Sequence, residues 1–275
     1  MSSKVLEALD VTIDQGIAEV VLKGPGKGNA MGPEVFRELP VVFGELDRDP
    51  EVRAVLVRGS GDHFSFGLDL KSMMAQIGRF VMGPQMAARR SDLLDLIREL
   101  QGSTDAVERC RKPVIAAIAG WCIGGGLDLA AVCDVRICSA DARFSLREVK
   151  LAIVADLGSL QRLPQIIGEG NTRELAFTGK DIDAARALSM HLVNAVLPDR
   201  ETLLDAARAM AREIAGNPPL TVQGIKQVMS FSTSRHTDDG LRFVAAWNAA
   251  FLQSLDLNEA IAAFTEKREP RFKGQ

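Results

Sequence analysis

The chain has 275 residues, which is enough to bury a substantial core in one domain, or in one domain with a small appendage. Hydrophobic residues make up 47% of it and charged residues 25%, a balance typical of globular proteins. Its formal net charge of −3 gives no reason to expect nucleic acid or an anionic membrane as a partner.

The cysteines form no CxxC pair and no cluster with histidine at metal-ligand spacing, so we expect reduced apolar side chains and no metal site. They are Cys110, Cys122, Cys133 and Cys138. The N-terminus lacks the long apolar core of a signal peptide, which favours a cytoplasmic location. The apolar run Pro113–Val132 contains Gly120 and Asp128, so we expect a buried strand and helix there and no membrane span.

Strand-like and helix-like segments alternate through the first half of the chain, which predicts an α/β layered fold. The predicted strands, short and rich in β-branched residues, are Gly16–Lys23, Val52–Arg58, Pro113–Ala119 and Asp134–Ser139. The predicted helices are Glu34–Asp47, roughly Met86–Cys110, and a segment that opens at three glycines and continues through Leu127–Val132. Pro40 should kink or restart the first of these helices.

After Gly179 the pattern becomes almost entirely helical, with no strand expected. The predicted helices there are Asp183–Met190, Thr202–Ile214, Pro219–Phe231, Asp239–Leu252 and Asn258–Lys267. We expect a core that spans residues 1–200 and a C-terminal helical region, residues 201–275, that covers a site or joins subunits.

Three consecutive glycines, Gly124–Gly126, stand where a predicted strand passes into a helix. Glycines at a helix start leave backbone N–H groups open to a negatively charged ligand atom. A tight packing corner between strand and helix would also explain them. Another glycine, Gly67, lies between large apolar residues in Phe64–Leu70, where it would let the backbone approach a ligand closely. A plain structural turn explains this glycine at least as well.

Three acidic residues follow the glycines in otherwise apolar surroundings: Asp128, Glu148 and Asp156. Apolar surroundings raise the pKa of a carboxyl group, and such a group can exchange protons near neutral pH. With the glycine N–H groups, they suggest proton abstraction next to a carbonyl. Other roles remain open: Asp128 as a helix-start charge, Glu148 on a solvated face, and Asp156 as the N-cap of a helix beginning at Leu157.

Several motifs, in the same order and spacing, resemble the enoyl-CoA hydratase/isomerase (crotonase) superfamily over nearly the whole chain. They are GNAM at Gly28–Met31, FSFGLDL at Phe64–Leu70, GWCIGGGLDLAAVCDVRICS at Gly120–Ser139, FSLREVKLAI at Phe144–Ile153, LQRLPQIIG at Leu160–Gly168 and the C-terminal AAFTEKREPRFKG. The resemblance implies a spiral of ββα units with a C-terminal helical region, and trimers or dimers of trimers. It also implies an acyl-CoA ligand and no separate cofactor, because coenzyme A is part of the substrate.

The resemblance also assigns candidate roles to particular residues. The two N–H donors of the family's oxyanion hole fall on Leu68 and Gly125, where they would stabilise a thioester enolate. The implied substrate-binding residues are Phe66, Gly67, Asp69, Leu70 and Gly126, with Lys27 for a phosphate. The basic residues of Phe264–Arg268 resemble a family segment that reaches coenzyme A, although a helix-end charge cluster explains them equally well.

Within the superfamily, GGGLDL around Asp128 and REVKLAIVADLGSLQRLP around Glu148 and Asp156 resemble the Δ3,5-Δ2,4-dienoyl-CoA isomerases, as do FGLDLKSM and WNAAFLQSLD. Hydratases of the family carry a glutamate where this chain has Asp128. Shifting two double bonds into conjugation with the thioester removes a proton from C2 and delivers one to C6. We expect Glu148 at C2 and Asp156 at C6, with the two roles open to exchange, and Asp128 biasing which carboxyl holds the proton.

Two other functions stay open. An enoyl-CoA hydratase would use Asp128 and Glu148 to hold water, with Asp156 incidental. A non-catalytic crotonase-fold protein would bind RNA or a protein partner, which the acidic charge balance and the three carboxyl groups make less favourable.

Overall fold

The computed structural model describes residues 6–24, 27–73, 75, 87–151, 153–233 and 255–275. Their strands, in chain order, are β1 (Leu9–Asp14), β2 (Ile17–Leu22), β3 (Ala54–Gly59), β4 (Val114–Ile118), β5 (Trp121–Ile123), β6 (Val135–Ser139), β7 (Arg143–Ser145), β8 (Ile182–Asp183) and β9 (Ala195–Leu197). None of the helices in these ranges is long and apolar enough to cross a bilayer.

The helices surround these strands. In chain order they are α1 (Pro33–Arg48), α2 (Ala87–Arg109), α3 (Gly125–Ala131), α4 (Ser159–Ile167), α5 (Glu169–Thr178), α6 (Ala184–Ser189), α7 (Arg200–Ala215), α8 (Pro219–Thr233) and α9 (Leu255–Glu266). A four-residue 3₁₀ helix, Glu148–Leu151, lies between β7 and α4.

A six-stranded sheet in the order β1-β2-β3-β4-β6-β9 forms the centre of the molecule. Its first pair is antiparallel and the remaining pairs are parallel, with Val57 opposite Ala116 and Ala116 opposite Arg136. A smaller sheet has the order β5-β7-β8, of which β5 and β7 are parallel. Because β3 and β4 are parallel, their carboxyl ends lie at the same edge of the sheet, and so do the segments that follow them.

Side chains of the central sheet alternate between two buried clusters, as the two-residue period of a strand requires. Val55 and Val57 of β3 pack into the larger cluster, which includes Leu39 and Phe43 of α1. Leu56 packs instead with Ile115 and Ile137 against a stripe on α7, namely Leu203, Ala207 and Ala211. Both faces of the sheet are therefore covered by helices, which is the condition for a mostly parallel sheet.

The α/β fold class and the four predicted strands are confirmed, each strand within two residues at either end. Helix α1 is continuous through Pro40, so the expected restart is wrong, and the kink stays a prediction. Pro40 lies on the exposed face, where water can bond the carbonyl that its missing N–H leaves free. Burial of the opposite face of α1 compensates for the lost hydrogen bond.

The prediction of helices without strands after Gly179 is wrong, because β8 and β9 lie there. These strands have two and three residues, too few to show an alternating pattern in the sequence. The predicted helices near 183–190, 202–214, 219–231 and 258–267 are confirmed as α6, α7, α8 and α9. The predicted helix Asp239–Leu252 and Met86 lie outside the described residues.

Candidate active site

A glycine turn joins β5 to α3 and opens the candidate site. Gly124 has a φ of +52°, a conformation that favours glycine, and its N–H donates to the carbonyl oxygen of Ser145 over 3.0 Å. Gly125 is the first residue of α3, so its N–H has no partner within the helix. This N–H therefore remains available at the positive end of the helix dipole.

The segment after β3 runs beside this turn and supplies a second free N–H group. Ser65 donates its N–H to the carbonyl of Trp121 over 2.9 Å, and the N–H of Ile123 returns a bond to Ser65 over 3.1 Å. Among the described residues, nothing accepts a hydrogen bond from the N–H of Leu68. The two predicted oxyanion-hole residues, Leu68 and Gly125, are thus brought to adjacent segments.

Gly67 and Gly126 allow these two segments to touch. A Cβ atom at Gly67, where φ is +78°, would lie 2.6 Å from the Ile123 carbonyl oxygen and 3.0 Å from the Gly125 nitrogen. A Cβ at Gly126 would lie 2.8 Å from the Cβ of Ser65. Gly126 therefore has a packing role against Ser65 in addition to the substrate contact that the resemblance implies.

The side-chain amide of Asn29 holds the loop that follows β3, residues 60–64. Sequence reasoning did not single out this residue. Its side-chain nitrogen donates to the carbonyls of Ser60, His63 and Phe64, the first two over 2.8 and 2.6 Å. Its side-chain oxygen accepts from the Ser60 hydroxyl over 2.6 Å. Asn29 lies within the GNAM motif, which supported only the family resemblance, and no periodicity in the sequence links residue 29 to residues 60–64.

Asp128 lies on α3 and is only 1% exposed. Its Oδ1 accepts the backbone N–H of Ser159 over 2.7 Å, whereas Oδ2 is buried and has no hydrogen-bond partner among the described residues. Burial raises the pKa of Asp128 to about 6; the Ser159 hydroxyl and N–H act against this rise, and the charge of Asp156 adds to it.

Glu148 begins the 3₁₀ helix and lies against the glycine turn, with Oε1 3.5 Å from the position a Cβ at Gly124 would occupy. Its Oε2 is buried without a hydrogen-bond partner among the described residues. Burial, followed by the charge of Asp128, raises the pKa of Glu148 to about 7. The alternative that Glu148 lies on a solvated face is therefore wrong, since its Oε2 is buried.

Asp156 lies on the loop before α4, and its side chain is exposed. The Gln101 side chain donates to its backbone carbonyl over 2.7 Å, and Thr104 donates to the next carbonyl, that of Leu157, over 3.1 Å. Partial burial of its carboxyl group raises the pKa of Asp156, and its charge raises the pKa of both Asp128 and Glu148. The three predicted acids therefore form one electrostatically coupled group.

The alternative that Asp156 caps a helix beginning at Leu157 is wrong. Helix α4 begins at Ser159, its N-cap residue is Gly158, and no side chain of the cap residue bonds the first turn. The first N–H of α4 bonds instead to Asp128, thirty-one residues earlier in the chain. Asp128, which is distant in the chain, thus accepts the N–H that the capping alternative would have paired with Asp156.

The residues predicted to contact coenzyme A have diverse surroundings. Phe66 stacks on His63 with ring centroids 4.9 Å apart, and the Asp69 carboxylate accepts the N–H of Lys71 over 3.1 Å, which caps the following turn. Leu70 and Lys27 are exposed. At the C-terminus, Arg268 pairs within the chain with Glu259 and Glu266, which accounts for the charge of that segment without a ligand.

Comparison with known proteins shows which family the chain belongs to. The model of the enoyl-CoA hydratase/isomerase family matches residues 12–275. The mitochondrial Δ3,5-Δ2,4-dienoyl-CoA isomerase of Dictyostelium discoideum is 45% identical over 94% of this chain and 87% of its own length. The peroxisomal Δ3,5-Δ2,4-dienoyl-CoA isomerase of Arabidopsis thaliana is 41% identical over 98% of each chain.

Among solved structures, a putative enoyl-CoA hydratase from Streptomyces coelicolor A3(2) superposes with a TM-score of 0.90 at 29% identity. The match covers 100% of this chain and 97% of that one. Sequence and fold thus agree along the whole length, and the chain belongs to the enoyl-CoA hydratase/isomerase family.

Proposed function

We propose that this protein is a Δ3,5-Δ2,4-dienoyl-CoA isomerase, which converts 3,5-dienoyl-CoA to 2,4-dienoyl-CoA in the β-oxidation of unsaturated fatty acids. One observation carries the proposal. Among the described residues, Asp128 and Glu148 each bury a carboxyl oxygen that has no hydrogen-bond partner, near a glycine turn, and the charge of a third acid, Asp156, acts on both. The relatives at 41–45% identity bear the same activity in their names, whereas the hydratase structure is 29% identical.

The N–H groups of Leu68 and Gly125 would bind the thioester oxygen. Removal of a C2 proton places negative charge on that oxygen, and two donors held by the backbone stabilise it without reorganising. Both donors are supported by contacts of neighbouring residues, because Gly67 packs against the Gly125 nitrogen and Asn29 holds the loop before Phe66.

Glu148 would remove the proton from C2. Its carboxyl group lies against Gly124, next to the N–H that would hold the thioester oxygen, and C2 is bonded to the thioester carbon. A pKa of about 7 leaves a large ionised fraction at neutral pH and retains useful basicity. The electron pair of the C2–H bond then moves into the enolate.

Asp156 would deliver the proton to C6. The 3,5-diene conjugates the enolate with C6, so protonation there forms the new C–H bond and regenerates the thioester as a 2,4-diene. An exposed acid on the loop before α4 suits this role, because a bound acyl chain would cover it and so raise its pKa further in the direction that partial burial already gives. Glu148 and Asp156 exchange protons with bulk water between turnovers.

Beyond the acids, we propose that Phe66, Gly67, Asp69, Leu70 and Gly126 line the path of the coenzyme A moiety, with Lys27 free to meet a phosphate. We also propose assembly as trimers or dimers of trimers through residues 201–275, with residues 1–200 as the catalytic core. Location in the cytoplasm remains a prediction, because the two relatives are named mitochondrial and peroxisomal.

The test supplies the purified protein with a 3,5-dienoyl-CoA and, separately, with a 2-enoyl-CoA, and follows near-ultraviolet absorbance. We expect growth of the conjugated-diene signal from the first substrate. Loss of the enoyl signal from the second, without diene formation from the first, would identify a hydratase in which Asp128 and Glu148 hold water. Silence with both substrates would overturn the enzymatic proposal.

A further inference from the structure

The loop that carries Asp156, residues 156–158, is attached to α2 through its backbone. No side chain among the described residues bonds the Asp156 carboxyl group. Its backbone carbonyl accepts from the Gln101 side chain over 2.7 Å, and the Leu157 carbonyl accepts from the Thr104 hydroxyl over 3.1 Å. The place of this acid in the site therefore depends on the groups that hold the backbone of the Asp156 loop.

Arg162, in the first turns of α4, makes a third contact with the Asp156 loop. Its Nη1 lies 3.5 Å from the carbonyl oxygen of Leu157. The guanidinium also fills the space beside Gly158, where φ is +112° and a Cβ would lie 1.7 Å from Nη1. The loop and the guanidinium thus pack directly against each other, and the glycine makes this close approach possible.

The guanidinium of Arg162 is itself fixed by two acids of α2. Its Nε and Nη2 donate to the two carboxylate oxygens of Glu108 over 3.1 and 2.7 Å, and Nη2 also donates to Asp105 over 2.8 Å. The Arg162 side chain is only 17% exposed, so water competes little for these bonds. A planar guanidinium held by paired bonds of this kind has one orientation, which a flexible cation would not keep.

One face of α2 supplies all of these anchors, because their positions are three or four residues apart and so lie on the same side of a helix. The residues of this α2 face are Gln101, Thr104, Asp105 and Glu108. Among the described residues, none of its hydrogen bonds reaches Glu148, which lies against the glycine turn. The two proposed proton carriers, Glu148 and Asp156, therefore have separate supports.

We propose that Arg162, clamped by Asp105 and Glu108, is a positioning residue for the delivery of the proton to C6. It fixes the Asp156 loop so that the acid lies along the acyl chain. This inference rests on the proposed function, in which Glu148 acts at C2 and Asp156 at C6. Arg162 touches no substrate atom in this scheme and acts through the loop.

The proposal separates the two proton transfers. Without the clamp, Glu148 should still remove the proton from C2, whereas the enolate would more often take a proton back at C2 than receive one at C6. In D₂O, return at C2 leaves deuterium in unreacted substrate, because the acid exchanges its proton with the solvent. The ratio of deuterium entry at C2 to formation of the conjugated diene therefore reports on the C6 step alone.

The experiment measures this ratio for a 3,5-dienoyl-CoA in D₂O, with initial diene formation followed by absorbance and C2 deuterium by NMR, after subtraction of an enzyme-free blank. We expect Arg162→Met to raise the ratio by about 10–100-fold, since a misplacement of about 1 Å can cost 10²-fold in rate. If both rates fell in proportion, or if neither changed, the proposal would be overturned.

A second variant removes the anchors and keeps the cation. Burial raises the pKa of Asp128, and the positive charge of Arg162 acts weakly against that rise, so Arg162→Met changes a charge as well as a clamp. The double variant Asp105→Ala, Glu108→Ala leaves the guanidinium in place and alters two partly exposed positions of α2. It should raise the ratio in the same direction, and a wild-type ratio would contradict the role given to the clamp.

Arg173→Met is the matched control. Arg173 is an exposed arginine of α5 that pairs with Glu169 one turn away. Its loss should leave the ratio of C2 exchange to diene formation at the wild-type value.

Backbone amide hydrogen exchange tests the clamp without any activity. We expect the peptide that contains residues 153–159 to exchange faster in Arg162→Met and in the double variant than in wild type or Arg173→Met. Unchanged exchange would overturn the inference even in an active isomerase. Faster exchange in a wild-type protein that shows no isomerase activity would leave the clamp in place and overturn the proposed function instead, so the two failures are distinguishable.

Discussion

The two halves of the site are built by different means. On one side, Gly67 and Gly124–Gly126 bring backbone segments together so closely that a single added methyl group would meet a carbonyl oxygen at 2.6 Å. On the other, Asp128, Glu148 and Asp156 are side chains that no ion pair holds among the described residues and whose proton affinities depend on burial and on one another.

Because of this difference, the proton affinity of the acids can be tuned, whereas the charge of the backbone N–H groups cannot. A donor fixed by the backbone has a position but no adjustable charge, so it serves any substrate that places an anion there. Carboxyl groups can shift in proton affinity by small changes around them, so they decide which carbon gains or loses a proton. The glycine half would thus be common to many reactions of an enolate, and the acid half would select one.

The largest effect is expected at Asp156. Asp156→Asn removes the proposed proton donor to C6 and should lower kcat by about 10²–10⁴-fold, because a single proton-transfer group contributes roughly that much. Binding of the thioester and the melting temperature should stay near wild type, since the loop is held through backbone carbonyls. Steady-state kinetics measures kcat, calorimetric titration with substrate measures thioester binding, and thermal unfolding measures the melting temperature.

Asp205→Asn is the control for this variant, because Asp205 is an exposed aspartate on α7. It should keep full turnover. Normal turnover by Asp156→Asn would remove Asp156 from the mechanism and would leave the acid half with two members.

The next effect tests the glycine half. Gly67→Ala forces a Cβ against the Ile123 carbonyl and the Gly125 nitrogen in a backbone conformation that alanine rarely adopts. We expect kcat/KM to fall by about 10²–10³-fold, the usual loss when an oxyanion donor is displaced, together with a lower melting temperature.

Gly170→Ala is the matched variant, because a Cβ at this position on α5 meets no atom within 4 Å. Its activity should equal wild type and its stability should be the same or slightly higher. If both alanine variants were equally active, close backbone packing would not be what positions the N–H groups.

A smaller effect concerns stability and pH at Glu148. Its folded pKa of about 7 lies above the usual value of 4.5, so the folded state holds a proton that the unfolded state has lost between these values. Stability therefore falls as pH rises from about 4.5 to about 7, and Glu148→Gln should escape this loss. Between pH 5 and pH 8, the unfolding free energy of the wild type should fall relative to that of Glu148→Gln by on the order of 2 kcal/mol. Denaturant titration of both proteins at each pH measures this difference.

The smallest effect is expected at Gln101. Gln101→Ala removes the bond to the Asp156 carbonyl, and the loss of one hydrogen bond of this kind costs roughly 0.5–1.5 kcal/mol. We expect kcat to fall by no more than about 10-fold while KM stays similar. A loss as large as that of Asp156→Asn would show that the loop position, not only the carboxyl, limits turnover.

Much of this site was accessible from sequence because short motifs carry local chemistry. The glycines, the spacing of Asp128 and Glu148, and the β-branched strands all depend on residues close to one another in the chain. Contacts across the chain were not accessible in this way. Nothing in the sequence around Ser159 indicates that its N–H bonds Asp128, or that Gln101 and Thr104 fix the loop of Asp156.

Physical context also reversed two local signals. Proline in a helix interior normally predicts a break, but Pro40 is exposed and α1 buries its other face. An aspartate just before a helix normally predicts an N-cap, but the end of α4 was already satisfied from α3. Neither the restart expected at Pro40 nor the alternative of a cap at Asp156 can be judged from one element without the element packed against it.

The amide of Asn29 gives the protein a chemical weak point. Its nitrogen is the donor to three carbonyls of the loop that leads to Leu68. Deamidation would replace that nitrogen with an oxygen and leave a carboxylate facing three oxygen atoms, which repel it. Deamidation of this one side chain, a change of one mass unit, would thus loosen the loop of the proposed oxyanion hole while every acid remained intact.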